Sequence, residues 1–83
     1  MSGITYIHGM GTKAVRNQIR RLRFESGEMT QQALAEQVGV TRQTIVAIEG
    51  AKYAPSLELA FRIAAAFRKP LEEVFQFHQQ EEK

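Results

Sequence analysis

Gln31–Gly50 reads QQALAEQVGVTRQTIVAIEG, and its spacing decides the fold. Counting Gln31 as the first position, Ala35 stands fifth and Gly39 ninth. Leu34, Val38, Val40, Ile45 and Ile48 fill the fourth, eighth, tenth, fifteenth and eighteenth. Two short helices crossing at a tight turn need this pattern. Ala35 carries only a methyl group, so the second helix can pack close. Gly39 can take the positive φ that ends the first helix and opens the turn. The apolar positions bury one stripe of each helix. Thr41, Arg42, Gln43, Thr44 and Ala47 are left on the free face of the second.

That arrangement is a helix-turn-helix unit, and its free face is the one such a unit places in the major groove of DNA. An ordinary αα-hairpin would need only one alanine and one glycine. Here several independent constraints hold at once.

The flanking sequence builds outward from this pair. A helix is predicted from about Lys13 or Ala14 to Glu25, with Val15, Ile19 and Leu22 facing inward, and Ser26-Gly27 ends it. Thr30 caps the helix that runs to about Val38, and Thr41 caps the next, which ends at Gly50. Pro55 discourages helix at Ala54. Ser56 caps a fourth helix whose apolar stripe is Leu57, Ala60, Ile63, Ala64 and Phe67. Pro70 fits the first turn of a fifth, and Glu72 and Glu73 suit the positive end of its dipole. Leu71, Val74 and Phe75 then close the core. The fold class is therefore all-α, a five-helix bundle. Residues 1–12 form an N-terminal arm, in which Ile4, Tyr6 and His8 alternate as a short strand would. Residues 13–77 form the domain and residues 78–83 a polar tail.

Composition narrows the function. Eighty-three residues make one domain, with no room for a separate ligand-sensing one. There are no cysteines, so neither a disulfide framework nor a thiolate zinc site is expected, which fits a reducing cytoplasm. No stretch is long enough to span a membrane; the apolar run from Leu59 to Phe67 is broken by Arg62. The N-terminus lacks the continuous apolar region of a signal peptide. The net charge is only +2, but its distribution is uneven. Lys13, Arg16, Arg20, Arg21 and Arg23 place five cations and no acid in residues 13–23. Arg42 and Lys52 face one acid, Glu49, from 41 to 55. Phosphate is thus favoured at the first helix and around the third. An enzyme is the weakest reading. The chain has no aspartate, its two histidines, His8 and His78, lie far apart, and its acids read as helix-dipole partners and a solvated end. No cofactor and no metal is expected.

The segments IRRLR, MTQQALAEQVGVTRQTIVAIEG, KYAPSLELAFRIAAAF and LEEVFQF resemble the Cro and phage-repressor type of helix-turn-helix, the XRE family of bacterial and phage regulators. The likeness covers about Val15 to Phe77. One departure is visible: SGEMT carries one residue more between the first two helices than the commonest family spacing. The resemblance implies a repressor that binds a palindromic operator in double-stranded DNA as a homodimer; a cytoplasmic, nucleoid-associated protein is expected, and the sequence names no small-molecule ligand. By position, Gln31 resembles the glutamine that contacts a phosphate and braces the recognition helix. Arg42 and Gln43 match the positions that reach base edges, and Thr41 and Ala47 match secondary base contacts. Thr44, Lys52 and Tyr53 match positions that hold the DNA backbone. Arg23 and Glu49 match an ion pair between the first and third helices. Arginine can pair bidentately with guanine and glutamine with adenine, so the residue chemistry agrees. An antitoxin that uses DNA only for autoregulation is the alternative, and the few polar residues after Phe77 argue against it.

The C-terminal end points to the dimer interface. Val74, Phe75 and Phe77 cannot all enter one small core, because Phe75 and Phe77 are two apart. The chain is expected to leave the helix near Phe75. Phe77 would then lie on an extended segment that can pair with residues near Met10 to Val15 as a short terminal β-ribbon. The simpler alternative is that Phe77 folds back onto its own bundle. Exposed aromatics on a small domain are better buried against a partner.

Overall fold

The computed structural model describes residues 15–77. Its elements run β1 (Val15–Asn17), α1 (Ile19–Glu25), α2 (Gln31–Val38), α3 (Arg42–Glu49), α4 (Leu57–Phe67), α5 (Leu71–Val74) and β2 (Phe75–Phe77). Five helices pack around one core, and β1 and β2 close the bundle as an antiparallel ribbon pairing Val15 with Phe77 and Asn17 with Phe75. Among the described residues, no helix is long and apolar enough to cross a membrane.

Three helices begin with the same device. Thr30, Thr41 and Ser56 are extended, and each side-chain oxygen accepts from the backbone N–H three residues on: Ala33 at 2.9 Å, Thr44 at 3.2 Å and Leu59 at 3.1 Å. Each cap satisfies a donor that the helix itself cannot, worth about 1 kcal/mol. The turn between α2 and α3 is equally local. Gly39 sits at φ 80°, and its N–H and that of Val40 both donate to the carbonyl of Ala35, at 2.8 and 3.0 Å. Ile19, Leu34, Ile45, Ile48, Ile63 and Val74 are the fully buried large side chains, so every helix contributes at least one. Ala35 is buried as well, and its small size lets α3 lie close on α2.

The first helix is shorter than its periodicity predicts. It begins at Ile19, and Val15, expected on its inner face, belongs to β1. Two hydrogen bonds fix that boundary. The Asn17 side-chain oxygen accepts from Ile19 N–H at 3.1 Å, and Gln18 N–H donates to the Val74 carbonyl at 2.9 Å. A ribbon does form, but with Val15–Asn17 as its N-terminal strand; residues 10–14, the rest of the predicted partner segment, lie outside the described residues, as do the N-terminal arm, the tail and both histidines. The helix does end at Phe75, whose φ of −123° and ψ of 137° are extended. Pro70 stands one residue ahead of the first turn, at the cap position of α5. Leu57, predicted in the apolar stripe of α4, is 66% exposed; at the first position of the helix it projects past the core. Val74, predicted at a dimer interface, has no exposed surface: the isolated chain already spends it on its own core.

Replacing Gly39 by alanine tests the turn alone. A Cβ there would meet only the Arg62 guanidinium at an ordinary 3.5 Å, so the cost comes from the left-handed backbone. Gly39→Ala is expected to destabilise the domain by about 1 kcal/mol, lowering Tm by roughly 4–8 °C, as read by thermal unfolding.

Candidate nucleic-acid interface

The surface of α3 follows from which residues its packing consumes. Ile45 and Ile48 are buried, which turns Arg42, Gln43 and Val46 outward and leaves Thr44 and Ala47 half-buried at the margin. Neither Arg42 nor Gln43 is engaged by another side chain among the described residues. Thr41 is exposed, but its hydroxyl oxygen is the helix cap and lies 3.1 Å from the Thr44 hydroxyl. Lys52 and the half-exposed Tyr53 stand on the loop that follows α3. There Ala51 holds a positive φ of 60°, and Lys52 N–H donates back to the Ala47 carbonyl at 2.9 Å.

The far end of α3 is fixed by side chains from three other elements. The Arg23 fork grips the Glu49 carboxylate twice, Nε to Oε1 at 3.2 Å and Nη2 to Oε2 at 2.9 Å. Its remaining Nη1 donates to the Met29 carbonyl at 2.8 Å. The Gln31 amide donates to Glu49 Oε1 at 3.4 Å. The ion-paired side chains are only 13% and 11% exposed, so the pair is largely shielded from solvent. Asn17 completes the set: its amide donates to the Ile48 carbonyl at 2.9 Å and reaches that of Glu49 at 3.5 Å. Carbonyls at a helix end lack intrahelical donors; that of Ile48 accepts from Ala51 N–H at 2.9 Å, and Asn17 adds a side-chain donor there. Gln31 therefore stands beside α3, at the first position of α2, with its side chain bracing Glu49.

The other cations divide into paired and unpaired. Arg21 pairs with Glu25 at 3.1 Å and Arg62 with Glu58 at 2.7 Å, both exposed i,i+4 contacts worth only a few tenths of a kcal/mol. Arg20 instead lies over the exposed Phe24 ring, 6.0 Å from its centroid. These two, with Gln31, Val46, Glu49 and Gly50, line an open groove of about 730 Å³ between α1 and α3. Phe75 and Phe77 are elsewhere, on β2, with Phe75 packed against the core and Phe77 71% exposed.

Two residues of this surface are missing from the sequence reading. Asn17 was hidden by the assumption that the first helix was already under way, although an asparagine just before an apolar run is a recognised start signal. Val46, an apolar residue, carries no polar signal in the sequence; the 3.6-residue period of α3 turns it away from the buried side of Ile45 and Ile48.

Comparison with known proteins agrees with this geometry. Residues 19–74 match the helix-turn-helix family model. The chain is similar to an uncharacterized helix-turn-helix-type transcriptional regulator of Archaeoglobus fulgidus, 48% identical over 67 residues, 81% of this chain and 94% of that protein. A counterpart in Methanothermobacter thermautotrophicus is 55% identical over 62 residues, 74% of this chain and 88% of that one. One in Bacillus subtilis is 48% identical over 61 residues, 74% and 91% of the two chains. A crystal structure of a Bacteroides fragilis protein, provisionally described as DNA-binding, superposes with a TM-score of 0.67 at 26% identity, covering 75% of this chain and 98% of that one.

The pair that anchors α3 yields a direct test. Removing either partner strands a shielded charge, so Arg23→Ala and Glu49→Ala should each cost about 3 kcal/mol. The double variant should lose little more than either, a coupling of about 2 kcal/mol in a denaturant-unfolding cycle. Strictly additive losses would show that the two side chains do not act as a unit.

Proposed function

This chain belongs to the XRE-type helix-turn-helix family of DNA-binding transcriptional regulators, and from that premise we propose that it is a repressor that occupies a palindromic operator as a two-fold dimer. The observation that carries the reading is the pairing of a free first turn with a fixed helix. Arg42 and Gln43 are exposed and uncommitted, whereas α3 is capped at one end by Thr41 and tied at the other through Glu49. A side chain reads a base edge well when its backbone is already in place.

The roles follow from side-chain chemistry. Arg42 is suited to guanine O6 and N7, and Gln43 to adenine N6 and N7. Thr41 and Ala47 add secondary base contacts. Gln31, Thr44, Lys52 and Tyr53 hold phosphates on either side of the groove, which sets register without reading sequence. Occupancy of a promoter by such a dimer in the cytoplasm, on the nucleoid, would exclude polymerase.

The dimer reading rests on the C-terminal surface. Phe77 and Leu57 are the most exposed large apolar residues described, and Phe61 lies one turn after Leu57 on α4. Phe77 and Leu57 flank an apolar groove of about 720 Å³, floored by Ala60, Leu71 and Phe75. An isologous contact needs a projecting group and a recess on one surface, and Phe77 beside this groove offers both. Phe75 and Phe77, without Val74, are the interface residues of this proposal. Two-fold symmetry would set the two α3 helices about 34 Å apart, one turn of B-DNA.

Two measurements test the reading. Arg42→Ala should cost roughly 1–3 kcal/mol on the selected site and relax preference at one base pair per half-site. Lys52→Ala should weaken all sequences alike and reduce the slope of log K against log salt by about one. Equal losses on specific and random DNA for Arg42→Ala would remove the base-reading role. Sedimentation equilibrium at micromolar concentration should show a dimer that Phe77→Ala converts to monomer; a wild-type chain that is strictly monomeric would exclude the preformed dimer.

A further inference from the structure

Val46 is an exposed aliphatic side chain on a helix whose buried face is already complete. It is 42% exposed, whereas Ile45 and Ile48 beside it are fully buried. Geometry puts it among the base readers. At 3.6 residues per turn, Val46 lies about 40° round the helix from Arg42 and about 60° from Gln43, one turn further along. It therefore stands between the directions of those two side chains. On its other flank it lines the groove shared with Arg20, Phe24 and Gln31.

We propose that Val46 reads the 5-methyl group of a thymine in each half-site, so that it is a specificity determinant in its own right. The inference rests on the regulator reading above, with α3 in the major groove. An isopropyl group has no donor or acceptor, and neither phosphate nor the polar edges of guanine, cytosine or adenine gains from meeting it. The one apolar group that base pairs present in the major groove is the thymine methyl. Cytosine at the same step carries only hydrogen on C5, so the methyl contact is missing. The valine is also prepared for the task. Its β-branch leaves one dominant χ1 rotamer in a helix, so little side-chain freedom remains to be lost on binding. Ala47, half-buried alongside, extends the same apolar surface.

The test uses the intact chain and the tightest duplex selected from a random DNA pool. Each thymine of the half-site is replaced in turn by deoxyuridine, which differs only by the methyl. At one position the wild type should lose about fourfold in affinity per methyl removed, the weight of one buried methyl-sized group. Val46→Ala should bind the thymine and uridine duplexes equally at that position, with a melting temperature unchanged from wild type because the site is on the surface. Val46→Ile should restore the discrimination. Indifference of the wild type to uridine everywhere, or an undiminished methyl effect in Val46→Ala, overturns the proposal; so does a methyl effect that disappears only in Ala47→Gly. Recovery of no preferred sequence from the pool overturns the regulator reading itself, and this inference with it.

Discussion

The grip of Arg23 and Gln31 on the Glu49 carboxylate is the constraint on which the recognition surface depends. Taken alone, Glu49 is badly placed. It adds negative charge to the negative end of α3, close to where phosphates must approach. Bound to the Arg23 fork, the same carboxylate joins the last turn of α3 to α1, and Gln31 joins it to α2. Desolvation offsets much of the Coulomb attraction, so the pair contributes little net stability. Its contribution is positional. Asn17 adds a third attachment through the terminal carbonyls, and β1 thereby participates in holding α3.

Each face of α3 consequently has one task. Ile45 and Ile48 bind it to the core, Glu49 ties its last turn to α1 and α2, and Arg42, Gln43 and Val46 remain exposed. The distribution of charge supports that division. Cations close to acids at helical spacing, Arg21 and Arg62, are taken up by those acids, while Arg42 and Lys52 have no partner among the described residues. Net charge is a poor guide to such a surface; the uncommitted cations are what it leaves free.

Much of this was legible before the fold was known, and the reason is locality. Thr30, Thr41 and Ser56 cap the helices assigned to them, and Gly39 turns where its position requires, because each acts on a backbone group three or four residues away. The failures share the opposite property. The start of α1 depends on β2, at the other end of the described chain, so the helical periodicity of Val15, Ile19 and Leu22 misled. Leu57 lies outside the core it was expected to join, and Val74 takes its core role and not its interface one, because a stripe of apolar residues does not say where the core stops. The Arg23–Glu49 contact came from the resemblance and from the oddity of an acid at the negative end of a helix; nothing in the spacing of two residues on different helices predicts a fork geometry. Asn17 is legible only once the start of α1 is placed at Ile19.

The ribbon also orders the molecule in time. Val15 pairs with Phe77, so the first described element finds its partner only after the last has been made. The local helices can form and dock beforehand, but Gln18 N–H has no acceptor until the Val74 carbonyl arrives. Loop-closure entropy is paid across nearly the whole domain by that one step. A chain emerging from the ribosome would therefore acquire its α2–α3 hairpin early, whereas the strand attached to Asn17 stays unpaired until synthesis passes Phe77. The Asn17 attachment of α3 is thus a late property, completed by the final strand, whereas the Arg23 and Gln31 grip on Glu49 needs only α1 and α2.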